Sequence, residues 1–201
     1  FLSSDRAGLV AGAGSRNAPA SGCGRLGDVA AEPGGRFVLV GKHCDVASAK
    51  AAAAADRRLA DRLDVTIAFF CAGGPSSAGT EALLGRLGKP GDAALTGLCY
   101  RGRGWPGPMR ATWRTSDGRD EASPEISYGE GWGRILKALR PWLCRICTDH
   151  TGIFADISVG DPWRVPPAEA AGAGRSLVVV QTAKGRRIIA GAVAAGYLVA
   201  E

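Results

Sequence analysis

The chain has 201 residues, 46% hydrophobic and 22% charged, enough for one or two compact domains. Its 30 glycines and 11 prolines are about a fifth of the total, too few for a disordered or collagen-like reading. No apolar run approaches the roughly 18 to 20 residues of a membrane span, and no secretion signal is visible. The net charge of +6 favours anionic partners, but no nucleic-acid module accompanies it. The expectation is a soluble, cytoplasmic protein that, starting at Phe1 rather than Met, is trimmed.

Residues 1–36 are rich in Gly, Ala, Ser and Pro and read as a loop-rich remnant of an upstream region, so that one domain is expected over 37–201. The apolar run 37–40 predicts a buried strand. Asp45 is placed as the N-cap of a helix over 46–63, which is dominated by Ala, Leu, Arg and Lys. A second buried strand is expected at 65–70, broken by Gly73, Gly74 and Pro75, and then a helix capped by Ser76 or Ser77 and running to about Leu87.

This strand-helix alternation, with a third strand at 95–100, predicts an α/β fold with a small mixed, mainly parallel sheet, flanking helices and long cofactor-binding loops. Further along, 109–115 and 155–159 read as short strands and 132–139 as a short helix. The chain then offers a strand at 176–182 and a helix at 186–195.

Six cysteines in such a chain suggest metal or redox chemistry more than a disulfide framework. Cys144 and Cys147 form a CxxC pair, a spacing at which two thiolates share one metal or cluster. It follows Pro141, Trp142 and Leu143 late in the chain, not an early strand, which argues against a thioredoxin-type redox pair. Cys44 and Cys71 each follow a predicted strand, and successive parallel strands end on one sheet edge, where α/β sheets bind ligands. Together they make four sulfurs, suited to structural zinc or to a 4Fe-4S cluster. Cys23, in a glycine-rich loop, and Cys99, in a strand, are treated as non-ligands.

Three segments carry ligand-binding chemistry. The turn at 41–45, with Gly41 and Lys42, leads into a helix start that attracts phosphate, although both the phosphate-loop and the GxGxxG patterns are absent. Residues 100–107 combine Arg101, Arg103 and Trp105 with Gly102, Gly104 and Gly107, so that guanidinium groups meet a stacking aromatic on a backbone a ligand can approach closely. Asp156, Ser158, Gly160 and Asp161 surround a strand end, where the carboxylates could receive ribose or ring NH groups. His43 and His150 are given no catalytic role.

In this order, the motifs GKHCD, FFCAG, YRGRGWPG, CRICTD and ADISVGD resemble the coenzyme F420 hydrogenase/dehydrogenase beta-subunit family, over roughly residues 14–196. That family also includes 7-hydroxymethyl chlorophyll a reductase. The resemblance implies a flavoprotein that carries FAD and iron-sulfur clusters outside the ordinary Rossmann class. It implies electron transfer between a cluster and a deazaflavin coenzyme or another acceptor. The four-thiolate set Cys44, Cys71, Cys144 and Cys147 then becomes a 4Fe-4S site. FAD is expected between the 41–45 turn, the 101–107 loop and the 156–161 segment, with Gly41, Lys42, Arg101, Gly102, Gly104, Trp105, Asp156, Ser158, Gly160 and Asp161 as contacts. The implied partners are F420 or a ferredoxin-type carrier, with a hydrogenase or dehydrogenase subunit. Two alternatives stand beside this reading: a zinc-stabilised, non-catalytic binding or assembly subunit, and a ferredoxin-dependent reductase of another organic substrate.

Overall fold

The run FVLVGK becomes strand β1 (Phe37–Lys42) and turns directly into helix α3 (His43–Ala55) in the computed structural model, which describes residues 3–12, 19–102, 104–164 and 175–201. Asp45 does not cap this helix from outside. It sits in the first turn, where its carboxylate accepts the Lys42 N–H at 3.1 Å, so the helix starts two residues before it. The predicted helix over 46–63 also ends early. Asp56 is extended and its side chain accepts the Arg58 N–H at 2.9 Å, opening a separate short helix, α4 (Arg57–Ala60). A local side-chain hydrogen bond here overrides a helix-favouring composition. Upstream, where the sequence reads as loop, lie the short helices α1 (Arg6–Gly12) and α2 (Leu26–Ala31).

Strand β2 (Leu63–Phe69) pairs in parallel with β1, bringing Lys42 opposite Phe69. Its other parallel neighbour is β6 (Ile157–Gly160), with Phe69 opposite Val159, and β7 (Leu177–Val180) closes this four-stranded sheet antiparallel to β6. Helix α3 packs on β1 and β2 and buries Val46 against Ala68 and Ala155. Helix α7 (Ala183–Ala194), capped by the Thr182 hydroxyl, follows β7.

The third predicted strand belongs elsewhere. Strand β3 (Ala94–Cys99) pairs antiparallel with β4 (Arg110–Arg114), which pairs with β5 (Asp120–Ala122) in a separate sheet. Its first three residues are exposed, as befits a sheet with one wet face rather than the middle of a parallel one. Helix α5 (Ser77–Arg86), capped by Ser76, inserts Leu83 into a core with Tyr100, Met109, Trp113 and Leu136. The helix predicted over 132–139 is a π-helix, Gly129–Leu136. Gly131 backs onto Met109 so closely that a Cβ would lie 2.2 Å from its sulfur. A four-residue helix, α6 (Trp142–Arg145), ends this part of the chain.

The chain divides into two compact units. One holds Gly73–Ile146 with the antiparallel sheet, and the other holds Ser21–Ala72, 147–164 and Arg175–Glu201 with the mainly parallel sheet. Among the described residues no helix is long and apolar enough to cross a membrane.

Candidate functional site

The parallel register of β1 and β2 decides the geography of the mainly parallel unit. Lys42 and Phe69 are paired at the ends of their strands, so His43-Cys44 and Phe70-Cys71 leave the sheet side by side at its carboxyl edge. Cys44 keeps an exposed face, yet the packing behind it and the Asp45 carboxylate push its thiol up, Lys42 opposes them, and neighbouring Cys71 adds to the rise. Cys147 comes to the same edge. Its Sγ lies 4.0 Å from both ring nitrogens of buried His43 and donates to the Asp149 carbonyl oxygen at 3.1 Å.

The loop carrying Cys147 is held by two ties. Cys71 and His150 exchange hydrogen bonds, the Cys71 N–H to the His150 carbonyl at 3.0 Å and the His150 Nδ1–H to the Cys71 carbonyl at 2.9 Å. The Asp149 carboxylate accepts the N–H groups of Thr151, Gly152 and Ile153. Burial alone would raise that carboxyl, but these three donors and His43 outweigh it and hold it below the usual carboxylate range. Burial lowers the His43 imidazole, with Asp149 opposing and His150 reinforcing the shift. Sequence reasoning assigned nothing to Asp149 or His150. The one available signal was their place directly after the CxxC, in the stretch TDHTG.

The turn at 41–45 already contains its own anion. The Asp45 carboxylate takes the Lys42 N–H, and Lys42 Nζ stands 3.4 Å from Asp45 Oδ2. Cys23 donates its S–H to the Asp45 carbonyl at 3.2 Å, which gives this thiol a packing role beside the edge.

Two of the predicted contacts, Asp156 just before β6 and Ser158 on it, point inward. Ser158 is fully buried and donates to the Gly152 carbonyl at 3.1 Å. Asp156, 8% exposed, accepts the Thr66 N–H and hydroxyl, both at 2.9 Å, and the Thr182 hydroxyl at 2.7 Å. These hydrogen bonds and the Lys50 charge outweigh burial and lower its pKa. Asp156 thus ties β2 to the start of α7, and Ser158 ties β6 to the loop before it. Gly160 leaves room for the Phe70 ring, which a Cβ would meet at 2.2 Å, and Asp161 follows it at the carboxyl end of β6.

In the antiparallel unit the loop after β3 curls tightly. Gly107, at φ +79°, faces the Gly102 backbone, whose oxygen a Cβ would meet at 2.3 Å, and Arg101 Nε donates to the Pro106 carbonyl at 3.1 Å. The Arg101 guanidinium lies over the Tyr128 ring, 5.3 Å from its centroid, and Tyr128 stacks on Trp132. Gly104, Trp105, Pro106, Gly107, Ser127 and Tyr128 line an open cleft of about 390 Å³. The cleft is open to solvent, with the Trp105 and Tyr128 side chains beside a glycine-rich rim. Tyr128 and Ser127 were not legible as site residues, because nothing local in the sequence ties them to the loop. Cys99 donates to the Arg101 carbonyl at 3.2 Å, and Arg103 lies outside the described residues.

The predicted ligands thus divide. Cys44, Cys71 and Cys147 belong to the mainly parallel unit with Gly41, Lys42, Asp156, Ser158, Gly160 and Asp161. Cys144 belongs to the antiparallel unit with Arg101, Gly102, Gly104 and Trp105. Among the described residues no three His, Cys, Asp or Glu side chains are grouped as a single metal ion requires. The donors at the carboxyl edge are sulfurs, the chemistry of a cluster rather than of a hard cation.

The family model for the C terminus of the coenzyme F420 hydrogenase/dehydrogenase beta subunit matches residues 34–201. No curated protein matches the chain. Among solved structures, a chain of the F420-reducing NiFe hydrogenase complex from Methanosarcina barkeri, studied by xenon derivatization, is 19% identical with a TM-score of 0.62. The alignment covers 91% of the present chain and 57% of that one, a likeness of fold, and the present chain spans little more than half of its relative's length.

Proposed function

Because the chain belongs to the coenzyme F420 hydrogenase/dehydrogenase beta-subunit family, we propose that it is an iron-sulfur flavoprotein oxidoreductase. In this reading FAD exchanges electron pairs with a deazaflavin coenzyme and single electrons with a 4Fe-4S cluster. The observation that carries it is the parallel pairing of β1 with β2, which sets Cys44 and Cys71 side by side with Cys147 at the same edge. These three thiols, with Cys144 three residues before Cys147 in the chain, are the ligands we assign to the cluster.

The chain's own residues have definable tasks. His43 and Asp149 hold Cys147, and His150 fixes the backbone of Cys71. Arg101, Gly102, Gly104 and Trp105 offer the flavin a stacking face beside a guanidinium group. Gly41, Lys42, Gly160 and Asp161 stand at strand ends as further candidate contacts. Asp156 fastens β2 to the start of α7, and Ser158 fastens β6 to the loop before it. A hydrogenase or dehydrogenase subunit is the proposed partner, by analogy with the multi-subunit complex that contains the similar chain.

Stopped-flow reduction of the protein-bound flavin tests the acceptor. Reduced F420 should react fast and more slowly as salt rises, since a cationic protein steers an anionic coenzyme. Faster reduction by nicotinamide donors would overturn the deazaflavin assignment.

A further inference from the structure

The stretch from Gly131 to Thr148 contains Arg134, Lys137, Arg140 and Arg145 and no carboxylate. The π-helix has a single acid, Glu130, and it pairs with Arg86. Among the described residues Arg134, Lys137 and Arg145 form no ion pair with a carboxylate. The chain folds back on itself here. The Ser76 hydroxyl donates to the Leu139 carbonyl at 2.7 Å, and Arg145 Nη2 reaches the Ala138 carbonyl at 2.6 Å, so the end of α6 lies against the end of the π-helix. The same short segment carries large apolar side chains that water touches. Trp142 is 69% exposed, Leu143 75% and Ile146 52%.

Such a combination, exposed apolar side chains and cations with no carboxylate in one short segment, is the composition of a protein interface and not of an ordinary solvated surface. We infer that the 134–146 surface docks an acidic protein that carries a one-electron centre, with Trp142 and Leu143 as the apolar contact and Arg134, Lys137 and Arg145 as the steering charges. The acidity of the partner follows from charge complementarity, since among the described residues Arg134, Lys137 and Arg145 form no ion pair that would neutralise them. Its identity as an electron carrier rests on the reading above, because Cys144 lies within this surface. Electron-transfer encounters are small, salt-sensitive and short-lived, so a few exposed apolar side chains with steering charges suffice for one. An anionic membrane is the less fitting occupant. Helix α6 has only four residues, too few to lay an amphipathic face along a bilayer.

The full chain, prepared anaerobically, should be titrated with a small acidic bacterial ferredoxin, a basic cytochrome c and phosphatidylserine-rich vesicles across a salt series. Ferredoxin should bind with an affinity that falls as salt rises, and the cytochrome should not bind. The double variant Arg134→Glu, Lys137→Glu should weaken ferredoxin at least tenfold. Trp142→Ser, at an exposed position, should weaken it severalfold with the same salt slope. Equal ferredoxin affinity in all variants, cytochrome binding as tight as ferredoxin binding, or capture by vesicles in preference to ferredoxin would each overturn the proposal. Iron content measured on the same samples separates the two readings. Iron-free protein that binds ferredoxin and loses it in these variants keeps the docking surface and refutes the cluster, whereas iron-loaded protein with variant-insensitive binding does the reverse.

Discussion

The Sγ of Cys147 sits 4.0 Å from both ring nitrogens of His43, a buried side chain that begins helix α3 at the end of the first strand. A residue from the first strand-helix junction thus positions one from a loop more than a hundred positions later. The contact adds to the hydrogen bonds between Cys71 and His150 that hold the loop after the CxxC at the carboxyl edge. It also makes His43 a positioning residue for that thiol.

Replacing His43 by Ala should therefore loosen Cys147 without removing any sulfur. In apoprotein, alkylation of Cys147 should become severalfold faster in the variant while Cys99, in the other unit, reacts at its original rate. Peptide mass spectrometry after timed iodoacetamide treatment reads both. An unchanged Cys147 rate would show that the imidazole does not restrain it.

Single Cys→Ser changes at positions 44, 71, 144 and 147 should each remove most of the iron and lower stability, since a cluster bound only by the folded chain adds its binding free energy to folding. Cys23→Ser and Cys99→Ser should retain full iron, each thiol meeting only a backbone carbonyl in the structure. Iron analysis of the six variants distinguishes the two groups. Full iron in the Cys147 variant would break the assignment.

The 101–107 loop makes a separate prediction. Gly107 occupies a left-handed conformation pressed on the Gly102 backbone, so Gly107→Ala meets both a steric and a conformational penalty of about 1–3 kcal/mol. Arg101→Ala removes the guanidinium from the Tyr128 face and should cost FAD about 1.5–3 kcal/mol if it makes a charged hydrogen bond there. Titration of apoprotein with FAD should show weaker binding in both variants. Wild-type affinity in both would move the flavin away from this cleft.

Asp156 carries the clearest pH dependence. Its pKa falls on folding, because the Thr66 and Thr182 donors and Lys50 favour the carboxylate over the effect of burial. The stabilisation is then complete above the unfolded value of about 3.9 and is lost as pH falls through the lower folded value. Asp156→Asn should cost about 2 kcal/mol near neutrality and flatten the acid limb of the stability curve. Urea unfolding at neutral and acid pH compares the two proteins. A variant that keeps the wild-type slope would show that another carboxylate is responsible.

Strand positions, the Ser76 cap and the placement of Cys44 and Cys71 at one edge were legible because each depends on nearby sequence: an apolar run, a turn, a capping hydroxyl. Beyond the parallel pairing of the first two strands, the partners were not. Residues 95–100 look like a third parallel strand locally, and only the packing of α5 on the second core sends β3 to an antiparallel neighbour. The Asp45 error has a similar origin, since a carboxylate before a helix and one in its first turn differ only in which N–H it accepts. The contacts of Asp156 show the limit for sites. A carboxylate beside a strand end reads as ligand-facing until its buried donors, Thr66 and Thr182, are seen.

The most direct test of the central claim is anaerobic purification of the full chain followed by quantification of iron, acid-labile sulfide and flavin, with an absorbance spectrum. The account predicts a brown protein with about four iron and four sulfide per chain, as a 4Fe-4S cluster requires, together with one FAD. A colourless protein holding zinc, without iron or flavin, would contradict it.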